Sequence, residues 1–155
     1  MVKIKIIAIG KDKDRWVSEG SQHYLKLLSR WARVELDIIP SLKLSPSLSP
    51  DEIKKKEAAV LLTQMDKGVN IALTDSGRAM DSHTFARWME KLPQTAGMIN
   101  FIIGGPYGLD DDILAAADKT LSLSPLTFSH QVVRLVLLEQ LYRAFSILCG
   151  TNYHK

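Results

Sequence analysis

The chain has 155 residues, most simply one domain spanning 1–155 and long enough to bury a real core. Hydrophobic residues make up 46% and charged residues 24%, the balance of an ordinary soluble globular protein. A formal net charge of +3 permits an RNA partner without demanding one, and a single cysteine excludes an internal disulfide and fits a reducing compartment.

The first apolar stretch, residues 4–9, is short and broken by Lys5, so it reads as a strand rather than a secretion signal. This strand, Val2–Ile9, is closed by Gly10. A helix follows an Asp14 cap, with Trp16, Val17, Tyr24, Leu27 and Leu28 on one face. Residues 33–39 form the second strand, ended by Pro40, and the Ser- and Pro-rich stretch 41–49 is a surface loop.

Ser49-Pro50-Asp51-Glu52 is a clear helix start. Ser49 caps, Pro50 takes the first helical position, and Glu52 closes a capping box. That helix carries Ile53, Val60, Leu61 and Met65 and stops at Gly68. Residues 70–73 are a third strand, ending at Thr74-Asp75-Ser76-Gly77. A helix from Asp81 places Phe85, Trp88, Met89 and Leu92 at helical spacing, and Pro93 follows.

The most informative stretch comes next. Ile99-Asn100-Phe101-Ile102-Ile103 is an apolar run suited to a strand buried on both faces, and it runs into Gly104-Gly105-Pro106-Tyr107-Gly108. A short helix over 110–117 and a last strand over 120–123 follow. The closing helix over 129–149 is apolar nearly all round, which marks burial on several sides. It contains Arg134, Glu139, Gln140 and Arg143, so it is not a membrane span. With no signal and no span, the expected location is the cytoplasm. Cys149 reads as a small buried hydrophobe near the end of this helix.

Alternating strands and helices give an α/β fold with a mostly parallel sheet. Three loops, 73–77, 104–108 and 123–128, then leave the C-terminal ends of three strands. That edge is where open α/β sheets bind ligands. The phosphate loop, the dinucleotide Gly-x-Gly-x-x-Gly fingerprint and zinc-type His/Cys spacing are all missing, so neither a nucleoside triphosphate nor a metal is indicated.

Leu121-Ser122-Leu123-Ser124-Pro125-Leu126-Thr127-Phe128-Ser129-His130, the glycine loop, the Tyr142-Arg143-Ala144 segment and the ending Tyr153-His154-Lys155 carry a specific likeness in combination and order. Over its whole length the chain resembles the SPOUT RNA methyltransferases, and among them the ribosomal RNA large subunit methyltransferase H family. The resemblance implies S-adenosylmethionine-dependent N3-methylation of a pseudouridine in large-subunit (23S) rRNA, on the assembled ribosome. It also implies a C-terminal trefoil knot, which base rates alone would never suggest, and a homodimer with its active site at the interface.

By matching positions, the resemblance assigns the cofactor contacts to Leu73, Gly104, Leu123, Ser124, Pro125, Leu126, Thr127 and Phe128. Leu73, Leu126 and Phe128 are expected to pack the adenine while backbone groups read its edge. Taken by themselves, these residues read rather as strand-end core and turn glycines than as a cofactor site.

His154 is the expected catalytic side chain, because a Tyr-His-basic ending is hard to justify by packing where a tail normally frays. It is expected to take the imide proton directly or through water, with Arg143 stabilising the developing charge and Tyr153 orienting the base. Glu139 and Arg143, four apart, equally suit a plain surface ion pair. His23 and His83 read as solvated. His130, opening the closing helix, reads as structural or cofactor-side.

The tail departs from the family in having Asn152 where a proline is usual and Lys155 where an arginine is frequent; lysine loses the bidentate fork. Lys43, Lys54, Lys55 and Lys56 are candidates for rRNA phosphate contacts, or a solvated helix face. Rival readings are a SPOUT enzyme acting on another RNA such as tRNA, a non-catalytic ribosome-binding factor, and a flavodoxin-like module.

Overall fold

The computed structural model describes residues 1–11, 13–43, 45–65, 67–93 and 97–155. Five strands, β1 (Val2–Ile9), β2 (Ala32–Ile39), β3 (Val69–Ala79), β4 (Ile99–Ile103) and β5 (Lys119–Ser122), form one parallel sheet in the order β2-β1-β4-β3-β5. Among the described residues four helices connect them, α1 (Arg15–Leu28), α2 (Pro50–Gln64), α3 (Ser82–Glu90) and α4 (Asp111–Ala116), and α5 (His130–Leu148) follows the last strand. A wholly parallel sheet needs a crossover for every connection, and both of its faces are therefore covered.

The pleat divides the apolar residues between two cores. Ile4, Ile6, Ile71, Phe101 and Leu121 face one side, where they meet Leu28 of α1, Phe85 and Met89 of α3, and Leu137, Leu138 and Leu141 of α5. Ile7, Ile9, Ala72 and Ile102 face the other, against Ala58 and Leu61 of α2 and Ile113 of α4. Truncating any of the larger ones to alanine costs about 2–5 kcal/mol.

Asn100 interrupts the apolar run of β4 yet is fully buried, and its amide donates to Asn70 Oδ1 across the β3–β4 pair at 3.0 Å. The backbone N–H of Asn70 in turn donates to Asp118 at 2.7 Å. This polar chain ties β3 to the start of β5.

The helix-start chemistry of α2 is as expected. Glu52 N–H donates to the Ser49 hydroxyl, Ser49 N–H donates to the Glu52 carboxylate, and Pro50 follows the cap. Asp81 caps α3 through Thr84 N–H, and Ser129 caps α5 through Val132 N–H. Asp14 precedes α1 in extended conformation without a side-chain cap bond. Leu44, within the predicted 41–49 loop, and Asp66, before the predicted stop at Gly68, lie outside the described residues.

Three expectations are corrected. The third strand does not end at Leu73. It loops out over 74–77 and rejoins at Arg78, so that Leu121 of β5 pairs with both Leu73 and Arg78. The polar run 74–77 reads as a strand end because turn residues and a strand bulge share one composition. Cys149 is exposed rather than buried, because it follows the last turn of α5. Trp16 is 56% exposed at the start of α1, while Val17 and Leu28 are buried.

Arg134 is the unexpected anchor of α5. It is wholly buried among the apolar residues of the helix, and its guanidinium donates to the carbonyls of Ile9 and Gly10 at 2.7 and 2.5 Å. Those two carbonyls sit at the end of β1, so the helix is bonded to the same sheet edge from which the loops emerge.

Candidate active site

The C-terminal ends of β3, β4 and β5 lie side by side, and their loops enclose a cavity of about 600 Å³. Leu73, Ile103, Leu121, Leu123 and Val133 supply an apolar floor, while Asp75, Ser124, Thr127 and His130 add polar groups. Size and lining are those of a small-molecule site.

The lip over 104–108 is set by backbone. Gly108 N–H donates to Gly105 O at 3.0 Å, and Gly108 takes a φ of +84°, in the left-handed region that side chains avoid. A Cβ on Gly104 would stand 2.6 Å from Gly108 O, so the first glycine allows the turn to fold onto itself. The opposite lip, after β5, is held by Ser122 Oγ donating to Ser124 O at 3.1 Å and Leu126 N–H donating to Ser124 Oγ at 3.0 Å. Tyr107 and Leu126, 52% and 71% exposed, stand at the mouth.

Of the residues assigned to the cofactor, Leu73, Gly104, Leu123, Ser124, Leu126, Thr127 and Phe128 all line this cavity. Pro125 is exposed and is not part of its lining. His130 lines it too, at the first position of α5.

Glu57 of α2 escaped the sequence reading. It is 5% exposed, directly beneath the glycine lip, and Gly105 N–H donates to its carboxylate. Burial pushes its carboxyl above the ordinary glutamate range, and the Gly105 bond opposes that only in part. Among the described residues its Oε2 has no partner. A Cβ on Gly105 would lie 2.5 Å from that oxygen, so the second glycine lets the Glu57 carboxylate come up against the lip. A signal was present: Glu57 lies four residues from both Ile53 and Leu61, on the apolar stripe. The adjacent lysines disguised it as part of a solvated face.

The three residues assigned to catalysis gather elsewhere. The tail folds back on α5, and Arg143 sits at its centre. Arg143 donates from Nε and Nη2 to Glu139 Oε1 at 3.0 and 2.6 Å, and from Nη1 to His154 Nδ1 at 3.1 Å. Its guanidinium lies 4.8 Å from the centre of the Tyr153 ring, and Tyr153 OH donates to Glu139 Oε1 at 3.1 Å. The bond to Glu139 raises the Arg143 pKa. Burial, then the neighbouring Tyr24 hydroxyl and Glu139, push the Tyr153 hydroxyl well up, so it stays a donor.

Gln140 Nε2 donates to the other Glu139 oxygen, and Ser82 of α3 donates to Gln140. His83, expected to be merely solvated, meets the His154 ring edge to face at 4.5 Å. A contact between α3 and a chain terminus leaves no trace in local spacing.

None of His154, Arg143 and Tyr153 lines the cavity. Glu139 and Arg143 lie nine and thirteen residues beyond His130, roughly 14–20 Å along the helix axis. One chain thus holds a ligand pocket at one end of α5 and a charged, hydrogen-bonding cluster at the other. Among the described residues there is no cluster of metal-ligating side chains, and no helix is long and apolar enough to cross a membrane.

A parallel sheet with a pocket built by three strand-end loops defines a small-molecule-binding α/β protein, and the comparisons make the class specific. A family model described as Predicted SPOUT methyltransferase matches residues 2–154. Proteins named Ribosomal RNA large subunit methyltransferase H are similar over almost the whole chain. That of Bacteroides fragilis is 37% identical, covering 99% of both chains; that of Acetivibrio thermocellus is 38% identical, covering 99% of this chain and 100% of its own. That of Pseudothermotoga lettingae is 40% identical, covering 99% of both.

The crystal structure of TrmJ from Z. mobilis ZM4 superposes with a TM-score of 0.50 at 15% identity, covering 93% of this chain and 70% of that one, a likeness of fold alone. The chain belongs to the SPOUT methyltransferases, and within them to the family of the ribosomal RNA large subunit methyltransferase H proteins. It is an S-adenosyl-L-methionine-dependent methyltransferase.

The cavity fits that cofactor. Its volume suits a nucleoside carrying an amino-acid arm, its apolar floor suits an adenine, and the glycine lip brings backbone within reach where a Cβ would close the space.

Proposed function

We propose that the protein N3-methylates a pseudouridine of large-subunit (23S) ribosomal RNA, on the assembled ribosome, as a cytoplasmic homodimer. The observation that carries this reading is the coincidence of seven assigned cofactor positions in one 600 Å³ cavity, in a chain alike over its full length to proteins named for that RNA.

Leu73, Leu123, Leu126 and Phe128 would hold the adenine, with the Gly104 backbone and the Ser124 and Thr127 hydroxyls giving it direction. When bound, the cofactor supplies an electrophilic methyl group on a positively charged sulfur. The knot implied by the resemblance belongs to this proposal, as a means of fixing the loops.

The separation of pocket and tail cluster within one chain supports the dimer. In a symmetric pair, the tail of each copy completes the pocket of the other. Arg143, carried there with Glu139, opposes negative charge on the imide of the target base; Tyr153 positions the base, and His154 contacts its imide edge. Asn152 and Lys155 are the family departures nearest to this contact.

Lys43 and Lys56 add exposed positive charge toward RNA. Lys54 and Lys55 are paired within the chain, to Asp51 at 3.5 Å and Asp112 at 4.0 Å, and contribute less.

The test is to incubate the protein with labelled S-adenosylmethionine and unmodified ribosomes, and to analyse the nucleosides by mass. Methylated pseudouridine from ribosomes but not from free rRNA or tRNA is expected. Transfer to tRNA instead, or cofactor binding without any transfer, would overturn the assignment.

A further inference from the structure

The contact between Arg143 and His154 decides more than position. A guanidinium has five N–H donors and no acceptor, so the 3.1 Å bond from Nη1 to His154 Nδ1 can only be accepted by the imidazole. A ring that accepts at Nδ1 is neutral and carries its proton on Nε2.

Arg143 cannot rotate away to release the ring, since Nε and Nη2 are both engaged by Glu139 Oε1. Glu139 is itself fixed from two more sides, by Tyr153 OH and by Gln140 Nε2, and Gln140 is held by Ser82 of α3. The His83 ring packs against His154 at 4.5 Å. The polar atom that His154 keeps beyond this bond is therefore Nε2–H.

We infer that His154 serves the reaction as a hydrogen-bond donor through Nε2, and that Glu139 is the positioning residue which, through Arg143, sets that tautomer. The inference rests on the proposed methylation of an imide nitrogen. In that chemistry the nitrogen is flanked by two carbonyls. Once its proton has passed to solvent water, the negative charge resides largely on the carbonyl oxygens. Nε2–H bonded to one of them holds the anion and fixes the face it presents. A general base needs a free lone pair, and here the Nδ1 pair is occupied while Nε2 has none to offer. All the bonds in the network lie within one chain, so the tail would reach a second copy with the tautomer already set.

Long-range ¹H–¹⁵N correlation spectra of histidine-labelled full-length protein, at neutral pH and with His154→Gln to assign the signals, read the tautomer directly. The expected result is a bare Nδ1 and a protonated Nε2. The opposite tautomer, an even mixture or a doubly protonated ring overturns the inference. In Glu139→Ala the preference should relax toward a mixture while cofactor affinity is unchanged. An undisturbed tautomer there would remove Glu139 from its positioning role.

Transfer to ribosomes gives the second reading. The Gln side chain of His154→Gln places an N–H near Nε2 but cannot exchange protons at neutral pH. It should retain transfer to within about tenfold of the wild type, whereas His154→Ala should lose about a hundredfold. A His154→Gln as inactive as His154→Ala overturns the donor role. If the wild type itself transfers nothing to ribosomes, the functional assignment fails instead, and the spectra still decide the tautomer.

Discussion

The two ends of α5 are built by different means. At its N-terminal end the pocket's lip is set by backbone: three parallel strand ends, a turn closed by Gly108 N–H on Gly105 O, and a Gly104 whose Cβ would meet the Gly108 carbonyl. At its C-terminal end the tail cluster is made almost wholly of side chains, with Arg143 joining Glu139, Tyr153 and His154 through hydrogen bonds and one ring contact. A backbone-built site is rigid, and one added methyl group ruins it. A side-chain network can lose a single bond and keep its shape. The comparison therefore predicts steep losses at the pocket and graded ones at the tail.

The largest effect is expected from Gly104→Ala. Its Cβ would stand 2.6 Å from the carbonyl oxygen of Gly108, and backbone cannot swing aside as a side chain can. At an overpacking cost of about 1–3 kcal/mol, cofactor affinity should fall by roughly 5- to 150-fold. Isothermal titration with S-adenosylmethionine checks this, with a thermal melt to show that the fold survives. Near-normal affinity would mean that the lip is looser than its contacts imply.

Arg134→Met acts on a different quantity, as a loss of stability of comparable size rather than of binding contacts. It leaves the Ile9 and Gly10 carbonyls without their buried donor, at a cost of about 2–4 kcal/mol. Urea unfolding reads it, and a loss below about 1 kcal/mol would show that water replaces the guanidinium at little cost.

At the tail, Tyr153→Phe removes one hydroxyl bond to Glu139 but keeps the ring against Arg143 and Tyr142. Since Arg143 still holds Glu139 twice, transfer should fall only a few-fold, matching the about 0.5–1.5 kcal/mol of one hydrogen bond, with cofactor affinity unchanged. A hundredfold loss would show that the hydroxyl itself, and not only the ring, contacts the base.

The same contrast explains what was legible in the sequence. β1, β4, α2 and α3 announce themselves because local chemistry decides them: the apolar run at 99–103, the Ser49–Glu52 capping box, the Asp81 cap. The glycine loop is legible as a ligand edge for the same reason. Glu57, Arg134 and His83 are not, because each owes its role to a partner far along the chain: Gly105, Ile9 and Gly10, and His154. The family resemblance names the tail residues, but their separation from the pocket follows only from the fold. Spacing within a helix places Glu139 beside Arg143; it says nothing of a terminus returning to join them.

Glu57 gives the finest test of the pocket's backbone character, because Glu57→Gln changes charge while keeping an acceptor for Gly105 N–H. Burial raises the carboxyl's folded-state pKa above its ordinary value, so the native state keeps that proton to higher pH than the unfolded chain does. Below the ordinary glutamate range both states are protonated and the residue is neutral in the balance. As pH rises from there toward the raised value, the native state binds more protons than the unfolded state, so stability falls; above it the penalty is complete. Glu57→Gln carries no such penalty. Its melting temperature relative to the wild type should therefore climb as pH rises out of the acid range and then level off, the smallest shift of the set. A pH-independent offset would mean that the carboxylate reaches solvent. A climb together with unchanged cofactor affinity would show that Glu57 supports the lip through its hydrogen bond to Gly105 rather than through its charge.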